Sequence, residues 1–240
     1  MPRAHRHFLT GHVWHITHRC HKKDFLLKFA KDRDHWRFWL FEARKRYGLC
    51  VLNYIITSNH IHLLVRDRGR GEISKGMQLI AARTAQEYNR RKNRNGAFWE
   101  DRYHATAVDT DTHLQRCMVY IDLNMVRAGV VKHPADWTWS GYREIQSPPK
   151  RYSVIDQKEL MKLLNLDHYD QLQQYHKDWV ENMLVSGHHD RDPAWSSSIA
   201  VGSREYVDSI KDALGISGKY KHTLEKNGAC VLQEPQVLYT

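Results

Sequence analysis

The sequence predicts an α+β protein: a central antiparallel sheet flanked by helices, followed by a C-terminal helical extension. Three observations lead there. The short apolar runs "HVWHITHR", "LCVLNYIIT" and "NHIHLLVRD" have the length and alternation of strands. Long segments of helical periodicity separate and follow them. Past "SPPK" at 147–150, a turn-forming stretch suited to a linker, "DQKELMKLLNL", "YDQLQQYHKDWVENML" and "SREYVDSIKDALG" all read as helices. The chain therefore divides into a domain over 1–146 and a helical extension over 151–240.

Taken in order, residues 12–19 form the first strand. Residues 32–47 form a helix with Asp32 or Asp34 near its start and Gly48 just past its end. Residues 49–57 and 59–67 are two paired strands or one bent strand. Residues 72–92 form a long amphipathic helix. Met77, Ile80, Ala81 and Thr84 share one side, and Arg90 and Arg91 stand at the end where the helix dipole favours cations. "GAFWEDRYHATAVD" holds a turn and a strand. Residues 111–128 form a second long helix that stops before Gly129. No internal repeat or low-complexity tract interrupts this order.

Composition narrows the function. The chain has 240 residues and a formal net charge of +10, enough length for a sizeable core and a basic surface suited to a polyanion such as nucleic acid. No apolar run reaches the roughly 20 residues that span a bilayer. The basic N-terminus has no apolar core of a signal peptide. Cys20, Cys50, Cys117 and Cys230 are scattered, with no C-x-x-C pair, as reduced thiols of a cytosolic protein would be.

The most informative stretch is "YIITSNHIHLLV". Side chains alternate along a strand, so His60, His62 and Leu64 share one face and Ile61, Leu63 and Val65 the other. Two imidazoles about 6–7 Å apart can converge on one metal ion. The plain alternative is one packed and one solvated histidine. A histidine triad would need a third His at Leu64, and the H-x-H-x-D-H metallohydrolase pattern fails at Leu63, Leu64 and Val65. The N-terminal His5, His7, His12, His15, His18 and His21 show no recurring ligand spacing and read mostly as solvated or packed. Tyrosines followed four residues later by a polar amide occur at Tyr120 and Asn124, Tyr142 and Gln146, and Tyr169 and Gln173. Spacing alone does not choose among them.

Four segments taken together, "YIITSNHIHLLV", "GAFWEDRYHA", "CMVYIDLNMVRAGVV" and "DWTWSGY", resemble the single-tyrosine HUH transposases, which are insertion-sequence transposase-like. Within that family the likeness is strongest to the REP-associated tyrosine transposases. It covers roughly residues 8–145; nothing after residue 150 carries a recognisable motif. The resemblance implies a ferredoxin-like HUH domain. It places the nucleophile at Tyr120 and a divalent metal, Mg²⁺ or Mn²⁺, on His60, His62 and Asn124. It implies a metal-dependent single-stranded DNA endonuclease and strand transferase that forms a 5′-phosphotyrosine at hairpin or palindromic DNA, in a bacterial cytoplasm and on the nucleoid when DNA-bound. Monomer and homodimer are both compatible. Met125 stands where the family has proline in "LNP-x-RAG", and Asn124 follows the REP-associated pattern where small insertion-sequence relatives carry Gln.

Arginines and aromatics suited to DNA surround these motifs: Arg66 after the histidine strand, Arg90, Arg91, Arg94 and Arg102 about "NGAFWEDRYH", and Arg116 and Arg127 beside Tyr120 on its helix. Trp99 and Tyr103 are candidates for stacking on unpaired bases. Two rival functions remain: a domesticated, non-cleaving binder of hairpin nucleic acid, and an unrelated basic metallohydrolase.

Overall fold

The computed structural model describes residues 9–187 and 190–235. Strand β1 (Val13–Arg19) leads to helix α1 (Ala30–Tyr47), strands β2 (Cys50–Ile56) and β3 (His60–Arg66), helix α2 (Glu72–Arg91) and strand β4 (His104–Val108). Helices α3 (Thr112–Asp122), α4 (Asn124–Arg127), α5 (Gly141–Gln146), α6 (Gln157–Leu163), α7 (Tyr169–Ser186) and α8 (Ala194–Ser197) follow. The chain closes with β5 (Ala200–Gly202), α9 (Arg204–Ala213), α10 (Ile216–Lys219) and the hairpin β6 (His222–Lys226) and β7 (Ala229–Gln233).

The first four strands stand in the order β2-β3-β1-β4, all antiparallel to their neighbours. With α1 and α2 as crossovers this is the βαββαβ arrangement of a ferredoxin-like domain. The register sets the site. In β1, Thr17 lies opposite His62 on one side and His104 on the other, and Arg19 lies opposite His60. Ile61, Leu63 and Val65 are fully buried, as the alternation predicts.

Residues 151–240 are not only helical. β5 pairs parallel with β4, then antiparallel with β7, and β7 with β6, so the sheet runs to seven strands in the order β2-β3-β1-β4-β5-β7-β6. β5 spans three residues, too few for alternation to show. β6 and β7 join through Asn227 and Gly228, both with positive φ, the two-residue turn that matches strand twist. Leu160, Leu172, Trp195, Val201, Val207 and Val231 of this region belong to the same core cluster as Ile16 and Leu63.

The helix expected over 111–128 is also broken, at Leu123. The guanidinium of Arg127 donates to the carbonyl of Tyr120 at 2.6 Å, the oxygen that a continuous helix would offer to the Asn124 amide. At the same break Asp122 is wholly buried, accepting from Asn53 of β2 at 3.1 Å and from His176 of α7 at 2.7 Å. α1 begins earlier than expected, with Phe29 as its N-cap. Asp32 falls inside the first turn and pairs there with Arg91.

Candidate active site

A cavity of about 620 Å³ opens where β1 and β3 meet α3 and α4. His60 and His62 reach it from β3, Tyr120 from α3, and Asn124 and Arg127 from the short helix beyond the break. Asp101 and Arg102 come from the approach to β4, His104 from its first position, and Arg191, Ser196 and Ser197 from the region around α8.

The two β3 rings lie 5.0 Å apart, nearly perpendicular. For His60 the contacts fix the proton. Asn59 donates through its amide nitrogen to the carbonyl of Lys23, so its Oδ1 faces His60 Nδ1, at 2.7 Å, and accepts from it. The Thr57 hydroxyl donates to the His60 carbonyl and is left to accept from the same ring nitrogen. Burial, reinforced by Arg19 and Arg191, pushes His60 down to about 4, so the ring is neutral and Nε2 is a lone pair. His62 is buried and held well below its ordinary value, by desolvation first and then by His15 and His60. Its Nε2 lies 2.9 Å from the Asn124 side-chain amide, which also interacts with His60.

Among the described residues no cluster of three or more His, Cys, Asp or Glu side chains could hold a metal ion. The donor set here is two imidazole nitrogens and one amide. A turn of the Asn124 amide would exchange nitrogen for oxygen toward the rings. Such a neutral N₂O set fits a divalent ion whose charge is balanced by a phosphate. Mn²⁺ accepts imidazole more readily than Mg²⁺.

Tyr120 is 8 % exposed. Its ring stands edge-on to His62 at 5.8 Å and to His15 at 6.0 Å. Burial raises its phenol above the ordinary value, while Arg127 and Arg191 pull it back down. The Arg127 guanidinium lies over the ring, 4.2 Å from its centroid. Tyr142 and Tyr169 sit elsewhere: Tyr142 packs against His133 and His176, and the Tyr169 hydroxyl donates to the Ile145 carbonyl.

The structure brings only part of the proposed DNA surface to this cavity. Arg102 and Arg127 line it. Arg116 is tied to the carbonyls of Asn227 and Gly228 at the β6–β7 turn. Arg66 lies at the far end of β3 from His60 and pairs with Glu159 of α6 at 3.1 Å. Arg91 pairs with Asp32, and Arg94 holds Asn89 and the carbonyl of Ala97. Arg90 is exposed at the end of α2. Trp99 is a packing residue: it stacks on His18 at 4.1 Å and donates to the carbonyl of Ala81. Tyr103 is buried edge-on to the same His18.

Sequence reasoning missed several neighbours of the site, His15 and Arg191 among them. His15, one of the N-terminal histidines read mostly as solvated or packed, contacts His62. Arg191 comes from the region beyond residue 150, where no motif announced it. His5 and His7 lie outside the described residues.

No curated protein matches this chain. The family model for IS200-like transposases matches residues 9–124. Among solved structures, a REP-associated tyrosine transposase bound to a REP hairpin is similar with a TM-score of 0.51 and 18 % identity, covering 65 % of this chain and 94 % of that one. A transposase candidate from Deinococcus radiodurans R1 is a more distant likeness, with a TM-score of 0.36 and 14 % identity over 48 % of this chain and 90 % of its own. The first of these shares the fold. The matched segment runs from just before β1 to the start of α4 and carries His60, His62, Tyr120 and Asn124; over it the chain is similar to the IS200-like transposases.

Proposed function

We propose that this protein is an IS200-like transposase, a divalent-metal-dependent single-stranded DNA endonuclease and strand transferase. The observation that carries the reading is the convergence of two neutral imidazoles and one amide beside a single buried tyrosine, in a cavity rimmed by arginines. His60, His62 and Asn124 would hold Mg²⁺ or Mn²⁺, which supplies a Lewis acid for a phosphate oxygen. Tyr120 attacks the phosphorus with its phenolic oxygen. The bond to the 3′ oxygen breaks, the phenol loses its proton, and the departing oxygen becomes a 3′-OH. The 5′-phosphotyrosine conserves the ester, so the 3′-OH of another strand reverses the step and joins to the held end. Arg127 and Arg102 supply cationic contacts for the backbone.

A hairpin with unpaired flanks is the substrate class proposed. The fold neighbour was solved on a REP hairpin, and the cavity is a side-chain-lined pocket that a flexible backbone enters more cheaply than a duplex does. The test presents one sequence as a hairpin, an unstructured strand and a perfect duplex, at fixed salt, across a Mg²⁺ and Mn²⁺ titration. The expected result is an SDS-stable adduct on hairpin or single strand that disappears with Tyr120→Phe, with the His60→Ala and His62→Ala pair, and with EDTA. Equal cleavage of the duplex, or an adduct that survives Tyr120→Phe, rejects the reading.

A further inference from the structure

His15 of β1 has no part in the chemistry above, yet it is wholly buried against the site. Its Nδ1 lies 2.7 Å from the carbonyl oxygen of Trp195, and its Nε2 lies 2.8 Å from Nδ1 of His62. The ring centroids lie 5.0 Å apart and the planes are 11° from parallel, which lets the N–H lie in the plane of both rings. A carbonyl oxygen only accepts, so the His15 Nδ1 carries a proton. The ring is wholly buried and its two nitrogens meet only a carbonyl oxygen and another imidazole, with no carboxylate to balance a charge, so it is neutral and Nε2 is left as a lone pair. The short contact then needs its proton from His62. His62 must be protonated at Nδ1, and its Nε2, the atom beside Asn124, is left as a lone pair.

Resting on the reading of His62 as a metal ligand, we infer that His15 is a positioning residue: anchored by the Trp195 carbonyl, it locks His62 in the tautomer whose Nε2 is open to the metal. A metal-bound imidazole commonly donates its second N–H to an acceptor that fixes ring and tautomer. For His60 the acceptors are Asn59 and Thr57, its close sequence neighbours. For His62 the acceptor is His15, and the anchor behind it comes from α8, outside the matched segment of 9–124. The C-terminal region thereby reaches the ligand shell through its backbone.

Two measurements test this on the full-length protein. Two-bond ¹H–¹⁵N correlation spectra of the metal-free protein, assigned with His15→Gln and His62→Ala, read the tautomers directly. Both His15 and His62 should carry the Nδ1 proton; a proton on His62 Nε2 overturns the inference. Mn²⁺ affinity, from the electron paramagnetic resonance of the free ion, then separates positioning from packing. His15→Phe keeps a ring in the space but cannot accept, and should weaken binding roughly 10- to 100-fold. His15→Gln can accept from His62 and donate to Trp195, and should recover most of that loss. Equal affinity of wild type and His15→Phe, or equal loss in both variants, overturns the role. A wild type that binds no Mn²⁺ removes the metal reading itself, and with it the use of the tautomer, while the spectra still report the relay.

Discussion

If Tyr120 is the nucleophile, as proposed, its phenol must lose a proton in the reaction. Burial raises its phenol above the ordinary value, and the guanidiniums of Arg127 and Arg191 oppose that rise. Arg127→Gln removes the nearer cation, so the phenol moves further up and a smaller fraction ionises at any pH. The alkaline limb of adduct formation against pH should move to higher pH, and the rate at neutral pH should fall about tenfold for every pH unit the limb moves. Arg127→Lys keeps the charge and should move it less. An unmoved limb in Arg127→Gln would detach that arginine from the phenol. At this scale the sequence showed what local spacing can encode. His60 and His62 are two apart on a strand and Tyr120 and Asn124 four apart across the α3–α4 break, and both pairs meet in the cavity. His15 was illegible because its partners are remote: His62 lies 47 residues away and Trp195 180. No period links such positions before the sheet register does.

Among the elements, the α3–α4 break is held from two sides. Arg127 takes the Tyr120 carbonyl, and Asp122 is fixed by Asn53 and His176. His176→Leu strips a fully buried carboxylate of one of its two side-chain partners, and should cost about 3 kcal/mol in urea unfolding. Asn53 is itself immobile, because its Oδ1 accepts from the Tyr54 amide at 2.8 Å and its nitrogen donates to Asp122. That explains Gly141 in "DWTWSGY": a Cβ there would collide with Asn53 Oδ1 and meet the Tyr54 nitrogen at 3.0 Å. Gly141→Ala should destabilise by about 1–3 kcal/mol in the same urea experiment, through overpacking. Gly76→Ala on α2 should cost less, because its methyl would be tight only against the end of the Leu49 side chain, at 3.3 Å, with Ala43 Cβ at an ordinary 3.5 Å, and alanine favours a helix. α1, α2 and the first four strands were legible because each spans several periods. The last hairpin was missed although its signal was present: "LEKNGACVL" has Asn-Gly between two runs, which the surrounding helical patterns masked.

For the whole molecule, the region after residue 150 is part of one core and one sheet, so removing it should unfold the rest. Truncation after residue 146 would bare the β4 edge and delete the neighbours of buried Ala107 and Val108. The expected product lacks a cooperative thermal transition; a soluble, cooperatively melting 1–146 fragment would establish the two-domain division instead. The shared interior also makes the fold acid-sensitive. His15 is driven to about 3, His60 to about 4, and His62 and His104 are lowered as well, all chiefly by burial. In the unfolded chain the same rings take a proton near 6.5. Between those limits the unfolded state binds more protons than the folded one, so stability is complete above about pH 6.5 and falls as pH drops below it. For His15 the loss reaches about 2 kcal/mol by pH 5, and the other lowered rings add to it. That is a large share of the roughly 5–15 kcal/mol that holds a domain together. Urea midpoints of the metal-free protein should therefore be flat from pH 8 to 7 and then decline, steeper than about 1.4 kcal/mol per pH unit between 6 and 5, since more than one ring contributes. His15→Gln removes one titrating group and should make that slope shallower by about one proton's worth. A flat profile from pH 7 to 5 would mean that these imidazoles are not buried in their neutral form.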